Sequence, residues 1–132
     1  MKALMLITDL GFILYWFITL FHLIPPELLF RDYTNPLLVD WNWSFFPLDL
    51  IISATGISSL VLLSKKNNLW APFALISLTL TSVSGLQAIA FWIFAQDFNM
   101  YWWIPNLFLL IYPLVFISYL LMKRQKLDLS IN

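Results

Sequence analysis

The sequence predicts an all-α integral membrane protein, a four-helix transmembrane bundle with its N- and C-termini cytoplasmic. Of its 132 residues, 61% are apolar and 11% are charged, whereas a soluble domain carries about 25% charged residues. The apolar residues fall into four runs, each close to the roughly 20 residues that a helix needs to cross a bilayer. A chain of this length forms one unit, so residues 1–132 are expected to be a single transmembrane domain.

Proline residues mark the ends of the expected helices. Pro25 and Pro26 stop the first helix, because proline cannot continue the backbone hydrogen-bond ladder. Pro47 and Pro105 suit the first turns of the second and fourth helices, where the missing N–H group is not needed. Pro113 falls inside the fourth helix. The expected helices cover residues 3–24, 45–63, 69–94 and 101–122, and an outer loop covers residues 25–44.

The basic residues indicate the orientation in the membrane. Loops that are rich in Lys and Arg stay on the cytoplasmic side. If four helices alternate in direction, only Arg31 of the 7 basic residues faces the outer side. The N-terminus, the turn between the second and third helices and the tail after Met122 are therefore expected to be cytoplasmic. The basic residues on this side are Lys2, Lys65, Lys66, Lys123, Arg124 and Lys126.

The composition gives no support to several classes of function. The formal net charge is zero, so no nucleic-acid partner is expected. The sequence has no cysteine and one histidine, His22, which leaves too few ligands for an ordinary metal site and no thiol chemistry. It also lacks the motifs of phosphate-binding loops, nucleophile elbows and zinc proteases. We therefore expect no cofactor and no catalytic residue.

Asp9 is the most unusual residue, because a carboxyl group inside a membrane helix is costly. Helical spacing places Trp16 near its face of the first helix. One interpretation is a proton or cation site, or an anchor for a ligand. The other is a structural carboxyl that hydroxyl groups on neighbouring helices satisfy. The candidate hydroxyl partners are Ser58, Ser59, Ser77, Ser118 and Tyr119.

A second group of polar residues is expected near the outer ends of the helices. Asp49 lies in the first turn of the expected second helix, where the helix dipole favours an acid. His22 ends the first helix and is expected to pair with Asp49. Pockets with many aromatic rings and a few convergent polar groups are common binding sites. The hypothetical binding site comprises Asp49, His22, Asn106, Gln96, Trp41 and Trp43.

Small residues recur at spacings of three and four in the second and third helices. Such a pattern lets two membrane helices approach closely, so it predicts tight packing between these two helices. The residues are Ser53, Gly56, Ser77, Thr81, Ser84, Gly85 and Ala88.

Two segments carry a resemblance to a known family. Residues 7–16 (ITDLGFILYW) and residues 41–49 (WNWSFFPLD) resemble the YvaD family of small uncharacterised bacterial membrane proteins, and the resemblance covers essentially the whole chain. It implies a multi-pass, four-helix protein of the bacterial inner (cell) membrane without an assigned function. It implies no particular catalytic or binding residues.

Three functions remain open on this basis. The first is a non-enzymatic accessory protein or modulator, because little mass lies outside the apolar runs. The second is a small-molecule or proton-coupled carrier that acts as a homodimer. Small multidrug resistance transporters carry an embedded glutamate in their first helix, where this chain has Asp9 followed by Gly11. The third is a bundle that binds a lipid or another amphipathic ligand, with or without catalysis. The expected partners are the lipid bilayer and either further copies of the chain or another membrane protein.

Overall fold

Four long α-helices make up the fold of the chain in the computed structural model. The structure describes residues 1–30 and 32–129, with side chains described as far as Met122. Each helix is long and apolar enough to span a membrane, and the predicted all-α architecture is confirmed. The elements are α1 (Lys2–Leu20), a short 3-10 turn (Pro26–Leu28), α2 (Pro36–Ser64), α3 (Trp70–Phe94) and α4 (Met100–Leu129).

The second helix begins earlier than the apolar run suggested. It starts at Pro36 rather than at residue 45, because the Asn35 side chain accepts the Leu37 N–H group at 3.1 Å and Pro36 occupies the first turn. These are favourable residues for a helix start. Polar residues such as Asp40 interrupt the apolar run without interrupting the helix. Pro47 consequently lies inside α2, and the expected outer loop is partly helical.

The helices pack in sequence order, with α2 on α1, α3 on α2 and α4 on α3. The bundle also closes between α1 and α4, where the Tyr112 hydroxyl donates a hydrogen bond to Thr8 Oγ1 at 3.0 Å. A cluster of buried apolar side chains fills the end of the bundle where α1 begins and α4 ends. It consists of Met5, Ala74, Leu78, Tyr112 and Leu120.

The small residues serve three helix interfaces, and not only the expected one between α2 and α3. Gly56 faces the Asp9 side chain on α1, and Gly85 faces the backbone of α4. Between α2 and α3, the Ser84 hydroxyl lies 3.5 Å from Asp49 Oδ1. Spacing alone identified small residues that allow close approach, but it did not show which neighbour each one faces.

Three helices end in the same way, each with a non-glycine residue in the left-handed region. His22 (φ 50°), Lys66 (φ 54°) and Gln96 (φ 56°) follow α1, α2 and α3 respectively. After α1, the Leu23 N–H group donates to the Ile18 carbonyl at 3.1 Å, and the other two ends repeat this bond. This is the Schellman arrangement, which satisfies carbonyl groups left open at a helix end. His22 and Gln96 are therefore helix-capping residues, and α1 ends at Leu20 instead of reaching residue 24.

Candidate functional site

A cavity of about 320 Å³ lies at the end of the bundle where α1 and α3 end and α2 and α4 begin. Its volume is within the range of small-molecule sites in proteins. Tyr101 belongs to its wall and is 86% exposed, so the cavity reaches the molecular surface. The lining residues are Phe12, Tyr15, Trp16, Leu29, Phe30, Leu38, Trp41, Asn42, Phe45, Asp49, Ser84, Ala88, Trp92, Tyr101, Trp102, Pro105, Asn106 and Leu109.

Asp49 is the acidic residue of the cavity, and it is 4% exposed. Its Oδ2 accepts a hydrogen bond from the Trp16 indole N–H at 2.8 Å. Its Oδ1 accepts from the Ser84 hydroxyl at 3.5 Å, which is at the outer limit for a hydrogen bond. One carboxyl oxygen is therefore well bonded, and the other retains capacity to accept a further hydrogen bond.

The position of Asp49 corrects the explanation based on the helix dipole. Because α2 begins at Pro36, Asp49 lies in the middle of this helix and not in its first turn. The effect of the dipole on a charge is confined to the terminal turns of a helix. A buried indole N–H group needs an acceptor, and the hydrogen bond from Trp16 ties α1 to α2 at this level.

Aromatic rings form much of the cavity wall. Trp41 stacks on Phe91, with ring centroids 4.1 Å apart and an angle of 22° between the planes. It also contacts Trp92 edge to face at 5.7 Å. Trp102 contributes a further ring to the lining from α4. The stacked and edge-to-face contacts hold the indole ring of Trp41 in place.

A second polar position lies nearer to the surface, around Asn42. Its Oδ1 accepts a hydrogen bond from the Tyr15 hydroxyl at 3.1 Å. The same hydroxyl is 3.4 Å from the Leu29 carbonyl oxygen, which joins the loop after α1 to the cavity wall. The Asn42 Nδ2 atom is buried and has no hydrogen-bond partner. Because this atom is buried, it does not face the open space of the cavity.

The structure brings together part of the residue set expected from the sequence. Asp49, Trp41 and Asn106 line the cavity, as does Trp16. The Asn106 amide donates to the Trp102 carbonyl of its own helix at 2.7 Å.

Three expected residues lie elsewhere. His22 and Gln96 are exposed capping residues beyond α1 and α3, so the expected pair of His22 with Asp49 is not formed. Their left-handed backbone ends the helix, and neither residue lines the cavity. Trp43 lies behind the cavity wall, with its ring 5.4 Å from that of Trp16.

Sequence reasoning missed several cavity residues. Tyr15, Asn42 and Ser84 contribute hydrogen bonds at the wall, and Trp102 contributes a ring. A signal was available for Ser84, because a buried acid needs hydrogen-bond donors and serine is among the residues whose hydroxyl groups supply them. No comparable signal marked Asn42, because α2 was not expected to extend that far.

Asp9 lies outside the cavity, one heptad from Trp16 along α1. It is 1% exposed, and its carboxyl group faces Gly56 on α2. Its backbone carbonyl accepts from the Ser53 hydroxyl at 3.1 Å, but its Oδ2 atom has no hydrogen-bond partner. The expected hydroxyl partners therefore do not satisfy Oδ2, and Ser118 and Tyr119 are exposed on α4.

The chemistry available in the cavity is that of recognition. It offers a carboxyl acceptor and several aromatic rings, and its lining includes no basic side chain. Within the described part of the chain, no three His, Cys, Asp or Glu side chains come together as a group that could hold a metal ion.

The fold and the cavity together define the class of the protein, a four-helix bundle with four candidate membrane spans and an aromatic cavity at one end. The chain belongs to the family of unknown function DUF5360, whose profile matches residues 1–127. It is 51% identical over 126 residues to the uncharacterized protein YvaD of Bacillus subtilis (strain 168). The aligned region covers 96% of this chain and 95% of that protein. The resemblance to the YvaD family is thus confirmed. No solved structure matches the chain.

Proposed function

We propose that the chain is a multi-pass protein of the bacterial inner membrane, with both ends cytoplasmic. In favour of insertion, the helix surfaces expose many large apolar side chains, which suits lipid as the solvent. In favour of the orientation, α1 begins and α4 ends at the same end of the bundle, and this end carries the basic residues expected inside. Exposed apolar residues on the four helices include Leu14, Phe17, Leu50, Ile51, Ile76, Val83, Leu86, Phe108 and Val115.

Cysteine labelling tests this orientation without background, because the chain has no native cysteine. Thr34 and Asn68 are exposed at opposite ends of the bundle, and no hydrogen bond of either side chain would be lost. In intact cells, Thr34→Cys should react with a membrane-impermeant reagent, and Asn68→Cys should react only after the cells are opened. The reverse pattern would contradict the orientation, and reaction of both before opening would contradict insertion with alternating helices.

We further propose that the protein binds a small amphipathic molecule in the cavity at the outer end of the bundle. The single observation that carries this proposal is the cavity itself, since its wall combines aromatic rings with a few convergent polar atoms. Asp49 Oδ1 retains capacity to accept a hydrogen bond from a ligand, and the surrounding aromatic rings offer apolar contact.

This function needs no chemical reaction, and it fits the expected non-enzymatic role. The polar atoms of the cavity, such as those of Asp49 and Ser84, can serve as hydrogen-bond partners for a ligand. A bound small molecule also offers a way for the protein to modulate a membrane partner. The homodimeric carrier has less support, because Asp9 is buried against Gly56 within one chain.

A substitution that fills the cavity tests the binding function. The neutral amphipathic probe is 4-tert-butylphenol, and its equilibrium binding is measured on protein in nanodiscs, with empty nanodiscs subtracted. Ala88 is 4% exposed and lines the cavity, so Ala88→Leu occupies space that the probe needs. We expect its affinity for the probe to fall by about tenfold or more, equivalent to at least about 1.4 kcal/mol.

The matched control is Ala54→Leu, the same change at an exposed alanine on α2. It should bind the probe as the unmodified protein does. Equal affinities in Ala88→Leu and the unmodified protein would show that the probe binds elsewhere, and the proposed function would be wrong.

A further inference from the structure

We propose that the natural ligand of the cavity is an organic cation of the tertiary or quaternary ammonium type, with Asp49 as its counter-ion and the surrounding rings as its cage. This inference rests on the proposed binding function and names the chemical class of the ligand.

The first step of the argument concerns charge. Asp49 is 4% exposed and lines the cavity, and no basic side chain is among the lining residues. Its described hydrogen-bond partners, Trp16 and Ser84, are neutral. A buried acid is favourable in its charged form only when an opposite charge lies beside it. Asp49 lines the cavity, so a cationic ligand bound there can supply the opposite charge.

The second step concerns the available oxygen atom. The indole N–H of Trp16 occupies Asp49 Oδ2 at 2.8 Å, whereas Oδ1 has only the long contact of 3.5 Å from Ser84. An ammonium group beside Oδ1 would not displace the stronger hydrogen bond. The bond from Trp16 fixes the orientation of the carboxyl group before the ligand enters, which reduces the ordering cost of binding.

The third step concerns the rings. Indole is the aromatic side chain that attracts a cation most strongly over its face, and quaternary ammonium ions are the ligands that aromatic cages hold in this way. Four tryptophan residues from four different helices line this cavity, and Tyr15 and Tyr101 add phenol rings. A neutral lipid tail would need apolar surface but neither this number of indoles nor a carboxyl group. The four are Trp16, Trp41, Trp92 and Trp102.

The test uses two probes of the same shape, 4-tert-butylphenol and (4-hydroxyphenyl)trimethylammonium. The central atom of the bulky group is a neutral carbon in the first probe and a positively charged nitrogen in the second. On the unmodified protein, we expect the cation to bind about tenfold or more tightly than the phenol. Ala88→Leu should weaken the binding of both probes, which places them in the cavity.

Asp49→Asn separates charge from shape. Its carbonyl oxygen can still accept the hydrogen bond from Trp16, so the wall is preserved. Affinity for the cation should fall by about tenfold or more, and affinity for the phenol should change by less than about threefold. Asp40→Asn is the matched control, because Asp40 is an exposed acid on the same helix and outside the cavity lining. It should retain the preference for the cation.

The outcomes distinguish the two proposals. Equal affinity of the unmodified protein for both probes, or a preference that survives in Asp49→Asn, overturns the assignment of a cationic ligand. If both probes bind equally and Ala88→Leu still weakens both, the binding function stands without the charge preference. Insensitivity of both probes to Ala88→Leu overturns both proposals. If Asp49→Asn does not fold, the affinity ratio on the unmodified protein and its dependence on Ala88 decide the question.

Discussion

Replacing Gly85 by alanine is expected to destabilise the bundle by about 2–3 kcal/mol, because the added methyl group has no space. A Cβ atom at this position would lie 2.6 Å from the Asn106 carbonyl oxygen and 2.6 Å from the Leu110 nitrogen. Both are backbone atoms of α4 and cannot move aside by a change of rotamer. The helices α3 and α4 would have to separate. Reversible unfolding in mixed micelles, followed by circular dichroism, measures the loss.

Gly11→Ala is the matched control, and the expected sign is opposite. A Cβ atom at Gly11 meets nothing within 4 Å, and Gly11 lies in the interior of α1. Alanine should stabilise that helix by about 0.5–1 kcal/mol relative to glycine. If both substitutions changed the stability by similar amounts, the close contact of α3 with α4 at Gly85 would be contradicted.

Gly56→Ala is expected to destabilise the protein by about 2 kcal/mol or more, because the new methyl group would enter the space of the Asp9 carboxyl group. The nearest atoms to a Cβ at Gly56 all belong to this carboxyl group. Asp9→Ala should remove most of the penalty, since the shorter side chain leaves room for the methyl group. A double-mutant cycle on the free energy of unfolding measures the coupling between the two positions.

Two further results bear on the role of Asp9 in this cycle. Asp9→Asn keeps the shape of the side chain and should be tolerated. Asp9→Leu should be destabilising, because a larger side chain cannot fit against Gly56 at a site that is 1% exposed. Additive effects of Gly56→Ala and Asp9→Ala would show that the two residues do not touch, and a more stable Asp9→Leu would place Asp9 toward lipid instead.

The number of helices could be predicted because the sequence contains four apolar runs, each of about the length that a membrane-spanning helix needs. The start of α2 could not, because hydropathy reports the apolar part of a helix and not the helix itself. The cap formed by Asn35 and Pro36 was present in the sequence, but the polar residues after it resemble a loop.

The candidate site was predicted in part, and the reason lies in helix geometry. Asp49 and Trp41 were identified because acids and indoles are rare enough in an apolar chain to be noticed, and both line the cavity. His22 and Gln96 were expected beside them because depth in the membrane was counted along continuous helices. Both residues instead sit in left-handed caps just beyond the helix ends. Depth along a sequence does not determine the direction of a side chain.

Photoaffinity labelling tests the central claim, that the cavity around Asp49 binds a small molecule, most directly. The reagent is 4-(trifluoromethyldiazirinyl)phenol, in which a photoreactive group replaces the tert-butyl group of the neutral probe. On irradiation of the protein in nanodiscs, peptide mass spectrometry should find the label on residues 41–49 and 101–109, which carry much of the cavity lining on α2 and α4. Excess 4-tert-butylphenol should prevent this labelling. Label spread over exposed residues outside the cavity, such as Leu86 and Val115, without protection by the phenol, would contradict the account.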